Sequence, residues 1–350
     1  MKIFLAFVAF SILVVGGFSY FYFNDLMYRE VNFPEEVVIE IPHNTSGDKV
    51  IEEFNKKGLL LPSVFFKYLL RYYIENENAK LYAGYFTFKG RMTNIEILKT
   101  LFDSKKQKNI RITIPEGLTL EEYAEIFETK LKCDSALFIK VASDSNLLKE
   151  FEIEAENAMG YIMPNTYDFF VYEKPENIIR KLLKENKEFW DQRRLKKLEE
   201  INLTKHQATI LASIVEAETP LKSEAKTVAG LYLNRLKKGM LLQADPTIQF
   251  MLGKKQRVLY RHLEQEHPYN TYLNPGLPPG PINNPGFRTL EAVLNYERHN
   301  YLFMVSIGDG SGRHYFSTNH QDHLTYVNDY RKTRDSIKAE KKMQDTLSLN

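Results

Sequence analysis

The hydrophobic pattern opens with an uncharged run, IFLAFVAFSILVVGGFSYFYF, from Ile3 to Phe23. Its 21 residues reach the length of about 20 that a helix needs to cross a bilayer. Phe18, Tyr20, Phe21, Tyr22 and Phe23 gather at its far end as an interfacial belt would, and Lys2 on the near side orients the N-terminus inward. A cleaved signal peptide is the rival reading. It would carry a shorter apolar core followed by a small-x-small site, and neither is seen. Residues 1–24 are therefore expected to be a single-pass anchor in the inner (cell) membrane, with the bulk of the chain on the extracytoplasmic side.

Beyond the run the pattern alternates between strand and helix periods. Residues 25–36 read as a tether. Val37 to Pro42 is a β-branched alternating run, Ser46 to Gly58 a helix, Pro62 to Ile74 a second helix, Tyr82 to Phe88 a strand of alternating aromatics, and Asn94 to Phe102 a short helix. The segment from Ile39 echoes the segment from Ile112. Ile39, Ile41, Pro42, Glu52 and Phe54 align with Ile112, Ile114, Pro115, Glu125 and Phe127 at one constant offset, and Ser46 aligns with Thr119 as a helix cap. Such an echo suits a small LysM-like glycan-binding unit; an accidental likeness within an α+β protein is the other reading. The expected order is a LysM-like α/β module over 37–104, a second strand-helix unit and helical connector over 105–199, a catalytic domain over 200–335 and a solvated tail over 336–350. The fold class is α+β. The last large domain is mixed but mainly helical, with long Pro/Gly-rich loops lining a groove.

Composition narrows the chemistry. Lys+Arg 47 against Asp+Glu 45 gives a net charge of +2, so no electrostatic footprint for nucleic acid is present. Cys133 is the only cysteine, which rules out an intramolecular disulfide. Tyr 21 and Phe 23 against a single Trp make the chain rich in aromatic faces, most of them needed for the core.

The segment LTKHQATILASIVEAETP is the most informative. Thr204 with Gln207 forms a capping box, Leu203 precedes it as a staple, and Pro220 ends the helix, so the helix is expected over Lys205 to Glu218. At about 100° per residue Ile210, Leu211, Ile214 and Val215 share one stripe. Glu218 falls on that stripe. Glu216 falls opposite, with Thr209, Ala212 and Ser213. One glutamate is thus expected to face the interior and the other solvent. Burial and the C-terminal end of the helix dipole both raise the pKa of Glu218, which suits a general acid. The competing reading is a buried salt bridge, for instance to Arg235. The next helix, Ser223 to Lys238, reads as scaffold with Val228, Leu231, Tyr232 and Leu236 inward. Glu224 in its first turn reads as a dipole partner.

A stretch rich in Pro, Gly and Asn follows, with three tight motifs: QADPT with Gln243, Asp245 and Thr247; YNTY with Tyr269, Asn270 and Tyr272; and GLPPGPI with Pro278. An earlier loop, GYIMPNTYDFF, carries Tyr161 and Tyr167. Amide and phenol groups can bond sugar hydroxyls and N-acetyl carbonyls, so these residues are substrate-binding candidates, with His314 beside them. His314, His320 and His323 lack a metal-ligand spacing, and no metal or cofactor is expected.

ILASIVEAET, NRL at Asn234 to Leu236, LQADPT, YNTY, GLPPGPI and NPG at Asn284 to Gly286, in that order, together with the mid-chain GYIMPNTY and the C-terminal HYFSTNHQDH, resemble the endolytic murein transglycosylases, the YceG-like proteins. The likeness runs from the anchor to about residue 335. It implies cleavage of the β-1,4 bond between N-acetylmuramic acid and N-acetylglucosamine in nascent strands, with Glu218 as acid and then base and a 1,6-anhydro end as product. It implies peptidoglycan glycan strands as the partner, and leaves peptidoglycan synthases as candidate protein partners. Glycosidases of the hydrolytic kind need two carboxylates; here none but Glu218 stands out in the sequence, as the substrate's own hydroxyl would be the nucleophile. Asn270 and Tyr272 are the candidates for holding the N-acetyl group. Ala217 departs from the lysine common there, off the buried stripe. A noncatalytic, membrane-anchored glycan-binding scaffold, or a hydrolase giving reducing ends, remains open on the residues alone.

Overall fold

The computed structural model describes residues 2–58, 63–76, 79–253 and 256–348. The chain divides into two compact units. The first holds Met1–Ile112, Thr129–Cys133 and Asp168–Glu173; the second holds Thr113–Glu128, Asp134–Tyr167 and Lys174–Asn350.

In the first unit, α1 (Lys2–Tyr28) is followed by β1 (Glu30–Ile41), α2 (Gly47–Lys56), α3 (Ser63–Asn76), β2 (Gly84–Thr93), α4 (Asn94–Leu101) and the start of β3 (Asn109–Thr113). Within α1, Phe7–Tyr28 is long and apolar enough to cross a membrane; its most apolar 18-residue stretch is unburied, while Leu26 near its end is buried. Residues 25–36, expected as a tether, are instead the end of α1 and the first half of β1. The sequence pattern hid this strand because Pro34 and two glutamates break its alternation. β1 and β2 pair antiparallel, with Ile39 opposite Phe86 and Ile41 opposite Gly84, and the register shifts between Phe33 and Val37. Pro34 has no N–H to give the ladder, which suits a bulge there. Phe33, Ile39, Phe54, Phe66, Phe86 and Phe88 form the core beneath the two strands. Ser46 caps α2 as expected, accepting from the Lys49 N–H. Pro62, expected in the first turn of α3, lies outside the described residues.

The second unit holds most of α5 (Leu120–Leu131), then α6 (Ser135–Ala142), α7 (Ser145–Glu150), the start of β4 (Thr166–Phe170), α8 (Pro175–Phe189), α9 (Gln192–Ile201), α10 (Lys205–Glu218) and α11 (Ala225–Lys237). After them follow α12 (Asp245–Met251), α13 (Tyr260–Leu263), α14 (Phe287–Leu294), the hairpin strands β5 (Phe303–Ser306) and β6 (His314–Ser317), and α15 (His320–Ser348). β3 pairs with β4, so the loop expected between Gly160 and Phe170 ends in a strand. The echo's second cap holds: the Glu122 N–H donates to Thr119 Oγ1 at 3.4 Å.

α10 is the axis of this unit's core, and it is buried all round from Ala208 to Val215. The expected amphipathic helix has a second covered face because the segment 276–289 lies over it. The Ile282 N–H donates to Ser213 Oγ at 3.0 Å, and the Asn283 amide donates to the Ser213 carbonyl at 2.9 Å. Gly160 permits this strap to close in. A Cβ there would stand 2.1 Å from Pro281 Cγ, which no side chain tolerates.

Candidate active site

α10 begins on the capping box anticipated from Thr204 and Gln207, and both of its hydrogen bonds form, at 3.1 and 2.9 Å. Thr219 then turns extended ahead of Pro220. The helix therefore stops with Glu218 in its last turn. Glu218 as a whole residue keeps partial exposure. Protein nevertheless surrounds the carboxyl closely, and this loss of solvation, reinforced by the negative charge of Asp245, pushes its pKa up to about 7. A hydrogen bond from Tyr232 and the positive charge of Arg235 pull the other way and are weaker.

Arg235 does not clamp Glu218, as the salt-bridge reading required. Its guanidinium donates to the Leu302 carbonyl at 2.6 Å, to Leu241 and Leu242 carbonyls at 3.1 and 2.9 Å, and to Gln243 Oε1 at 3.3 Å. Arg235 thus fastens the chain leading into α12 to the start of β5 and reaches Glu218 through space. Tyr232 and Arg235 lie three positions apart on α11, on one face of the helix. Tyr232 had read as scaffold; its spacing to Arg235 was the available signal.

The QADPT and YNTY motifs divide between surface and frame. Asp245 and Gln243 are exposed and Tyr272 is half-buried. The Tyr272 hydroxyl donates to Asp245 Oδ1 at 2.6 Å. Burial and the Asp245 carboxylate both drive the Tyr272 hydroxyl pKa upward, so it stays a donor. Glu218, Tyr232, Arg235, Asp245 and Tyr272 thus share one electrostatic neighbourhood. The expectation that no second carboxylate accompanies Glu218 gives way here, since α12 brings Asp245 within reach of its field.

Other candidates are spent on the fold. Thr247 is fully buried, with its hydroxyl on the Ala244 carbonyl and on Thr271 Oγ1 at 2.9 Å. Asn270 is fully buried too; its amide donates to the Leu263 and Gln265 carbonyls at 3.0 and 2.8 Å, and its oxygen accepts from the Tyr272 N–H at 2.9 Å. It sets the loop that presents Tyr272 and has no group left for an N-acetyl. Tyr167 is buried and donates to the Met163 carbonyl at 2.7 Å. Tyr161 is buried and lies 2.5 Å from His206 Nδ1, whose other ring nitrogen donates to the Pro279 carbonyl at 3.0 Å. Through His206, Tyr161 braces the frame at the opposite end of α10 from Glu218. Pro278 is buried in the strap, and Tyr269 is half-buried with its ring against Phe250 and its hydroxyl against Gly280. Local pattern could not separate these from ligand-facing groups, because the same polar side chains that bond sugars also bond loop carbonyls.

His314 Nδ1 donates to Glu224 Oε2 at 2.8 Å, and its N–H donates to Glu224 Oε1 at 3.1 Å. Glu224 therefore holds β6 and makes no side-chain bond to the start of α11. His323 stacks on Phe303 at 5.3 Å, beside the Arg235 guanidinium over the same ring.

A carboxyl whose pKa is raised to about 7, with a second carboxylate and a phenol beside it, has the chemistry of a general acid/base candidate. The chain belongs to the YceG-like family, whose model matches residues 39–329. A relative from Bacillus subtilis (strain 168), an endolytic murein transglycosylase, is 29% identical over 315 residues, covering 85% of this chain and 86% of that protein. Another of that name, from Streptococcus pneumoniae serotype 2, is 27% identical over 357 residues; the match takes in 91% of this chain but 63% of that longer protein. The crystal structure of a yceG-like protein from Listeria monocytogenes superposes with a TM-score of 0.58 at 29% identity, covering 83% of this chain and 98% of that one.

Proposed function

We propose that the protein is a membrane-anchored murein transglycosylase, a lyase that cleaves the N-acetylmuramyl-β-1,4-N-acetylglucosamine bond within nascent peptidoglycan strands. The observation that carries this reading is the Glu218 carboxyl with its pKa near 7. In its neutral form it donates a proton to the glycosidic oxygen as that bond breaks. The resulting carboxylate takes the proton of the muramyl C6 hydroxyl, whose oxygen closes on C1. The product is a 1,6-anhydro end, and no water is consumed. Each turnover returns Glu218 to its starting state, so one residue serves as acid and base.

Tyr272, its hydroxyl proton held by Asp245, offers that hydroxyl's oxygen as an acceptor beside the reacting ring. Gln243, exposed and bonded to Arg235, supplies an amide on the same side. Residues 3–23 hold the enzyme in the membrane at which new strands are made, with its bulk outside. The order β1, α2, α3, β2 in the first unit supports a LysM-like module for the same glycan.

The proximity of Asp245 also favours a second reading, a hydrolase with paired carboxylates, which would release reducing ends. Mass spectrometry of the products from uncrosslinked glycan separates the two, because the hydrolytic product is heavier by one water. Anhydro ends from the wild type, and none from Glu218→Gln with glycan binding retained, support the transglycosylase. Reducing ends that disappear in Asp245→Asn would replace it with the hydrolase. Binding with no cleavage at all would leave a scaffold.

A further inference from the structure

The bilayer-length helix and the first unit meet without a gap. α1 continues to Tyr28 and β1 begins at Glu30. The end of α1 is fastened into the fold: Leu26 is buried, its carbonyl accepts from the Asn94 amide at 2.7 Å, and the Arg29 carbonyl accepts from the Asn94 N–H at 3.2 Å. Phe23 packs edge-on against Phe65 of α3, with ring centroids 5.2 Å apart.

This aromatic contact sets a depth. As helix, residues 3–23 span about 31 Å at 1.5 Å per residue. That length matches a hydrocarbon core of about 30 Å, so Phe23 falls at the boundary with the headgroups. Phe65 is held at the same level. Its neighbour Val64 is 83% exposed, and Tyr68, one turn further, is 60% exposed. Four helical residues advance at most about 6 Å, close to the roughly 6 Å thickness of one headgroup layer. For α3 running along the boundary or outward from it, Val64 and Tyr68 stay within that layer.

The composition of the face agrees. Lys67 and Arg71 flank Val64 and Tyr68 at helical spacing, both side chains more than half exposed, with Lys67 paired to Asp48 at 2.7 Å and Arg71 to Glu75 at 3.2 Å. Phe66, Leu69 and Leu70 on the other side are core. An aliphatic group, a phenol and two cations on long apolar stems are what an interfacial helix presents to headgroups.

We propose that the first two turns of α3, through Val64 and Tyr68 with Lys67 and Arg71 beside them, lie in the headgroup layer of the membrane that α1 spans. The first unit is then seated on the bilayer instead of swinging above it on a tether. This rests on the reading of α1 as an anchor.

The test uses the full chain in nanodiscs of phosphatidylcholine and phosphatidylglycerol, with the buried native thiol removed by Cys133→Ala. Nitroxide labels are attached one at a time through Val64→Cys and Tyr68→Cys. Val14→Cys serves as the lipid reference, and His43→Cys, beyond the far end of β1, as the aqueous one. Collision rates with oxygen and with a water-soluble nickel chelate report depth. Docking gives severalfold lower nickel accessibility at positions 64 and 68 than at 43, with oxygen accessibility raised. Labels at 64 and 68 that behave like the one at 43, while the one at 14 reads as lipid, overturn the docking and leave the anchor standing. A label at 14 that itself reads as aqueous overturns both.

Discussion

Glu216 and Glu218 share the last turn of α10, yet the two sides of that turn are chemically opposite. On the strap side, the Glu216 carboxyl accepts from the Gly286 N–H at 3.0 Å, from the Thr289 hydroxyl and from Lys222 Nζ at 2.6 Å, with its side chain 8% exposed. On the α11–α12 side, Glu218 has a phenol for company, a carboxylate nearby and a guanidinium whose Nε and Nη1 donors bond to backbone carbonyls and Gln243. Where donors outnumber the oxygens, a carboxyl becomes a structural clasp. Where solvent is lost and a like charge approaches, it holds its proton to neutral pH and becomes an acid.

The contrast can be broken most severely at Glu218. Glu218→Gln keeps the shape and removes the proton, so turnover should fall by about 10³-fold or more, within the range general acid–base groups supply. Release of anhydro-muropeptides from nascent glycan measures it. A Glu218→Gln enzyme within tenfold of the wild type would end the assignment. Glu216→Ala should act on stability instead, since it strands three donors at once. About 2 kcal/mol of unfolding free energy should be lost by urea titration of the second unit's transition. A stable Glu216→Ala protein with abolished activity would mean the two residues had been assigned to each other's roles.

The same pair predicts a gain where loss is usual. The pKa of Glu218 is raised in the folded state, so the native protein binds more protons than the unfolded chain between the ordinary glutamate value and about 7. Stability from this group is full below the ordinary value and declines as pH rises toward 7. Glu218→Gln removes the cost of holding a charged carboxylate there and should stabilise the protein by about 2 kcal/mol above pH 7, allowing for its partial exposure. The benefit should vanish below the ordinary glutamate value, by about pH 4. Equal stability of the two proteins at both pH values would contradict the buried-acid assignment.

The smallest expected effects are the most specific. Activity that depends on the protonated acid should fall as pH rises through about 7. Asp245→Asn removes a like charge and should move that limb to lower pH. Tyr232→Phe removes a hydrogen bond to the ionised form and should move it higher. Both variants shifting the limb in one direction would show that the neighbourhood of Glu218 differs from the one described here.

Much of this was legible in the one-dimensional pattern. The extent of α10 and its capping box follow from Thr204, Gln207 and Pro220, because caps and prolines act within a few residues. The inward stripe put Glu218 on a face that loses solvent. What misled was any inference that needed to know what lies on top. Glu216 read as solvent-facing, since nothing in the helix announces a strap arriving from 276–289. Asn270 and Thr247 read as ligand groups because an amide or hydroxyl carries no mark of whether its partner is a sugar or the protein's own carbonyl. Residues 25–36 read as a tether because the pairing that makes them a strand is supplied by Arg91 to Thr93, far along the chain.

The sequence by itself determined the bilayer-length run, the helix that ends in an acidic residue and the order of motifs, since each depends on period, length or neighbours within one turn. Only the tertiary structure decided which glutamate is clasped and which is left to titrate. Solvation and long-range charge depend on atoms brought from α11, α12 and the strap, and no local stretch of chain contains them.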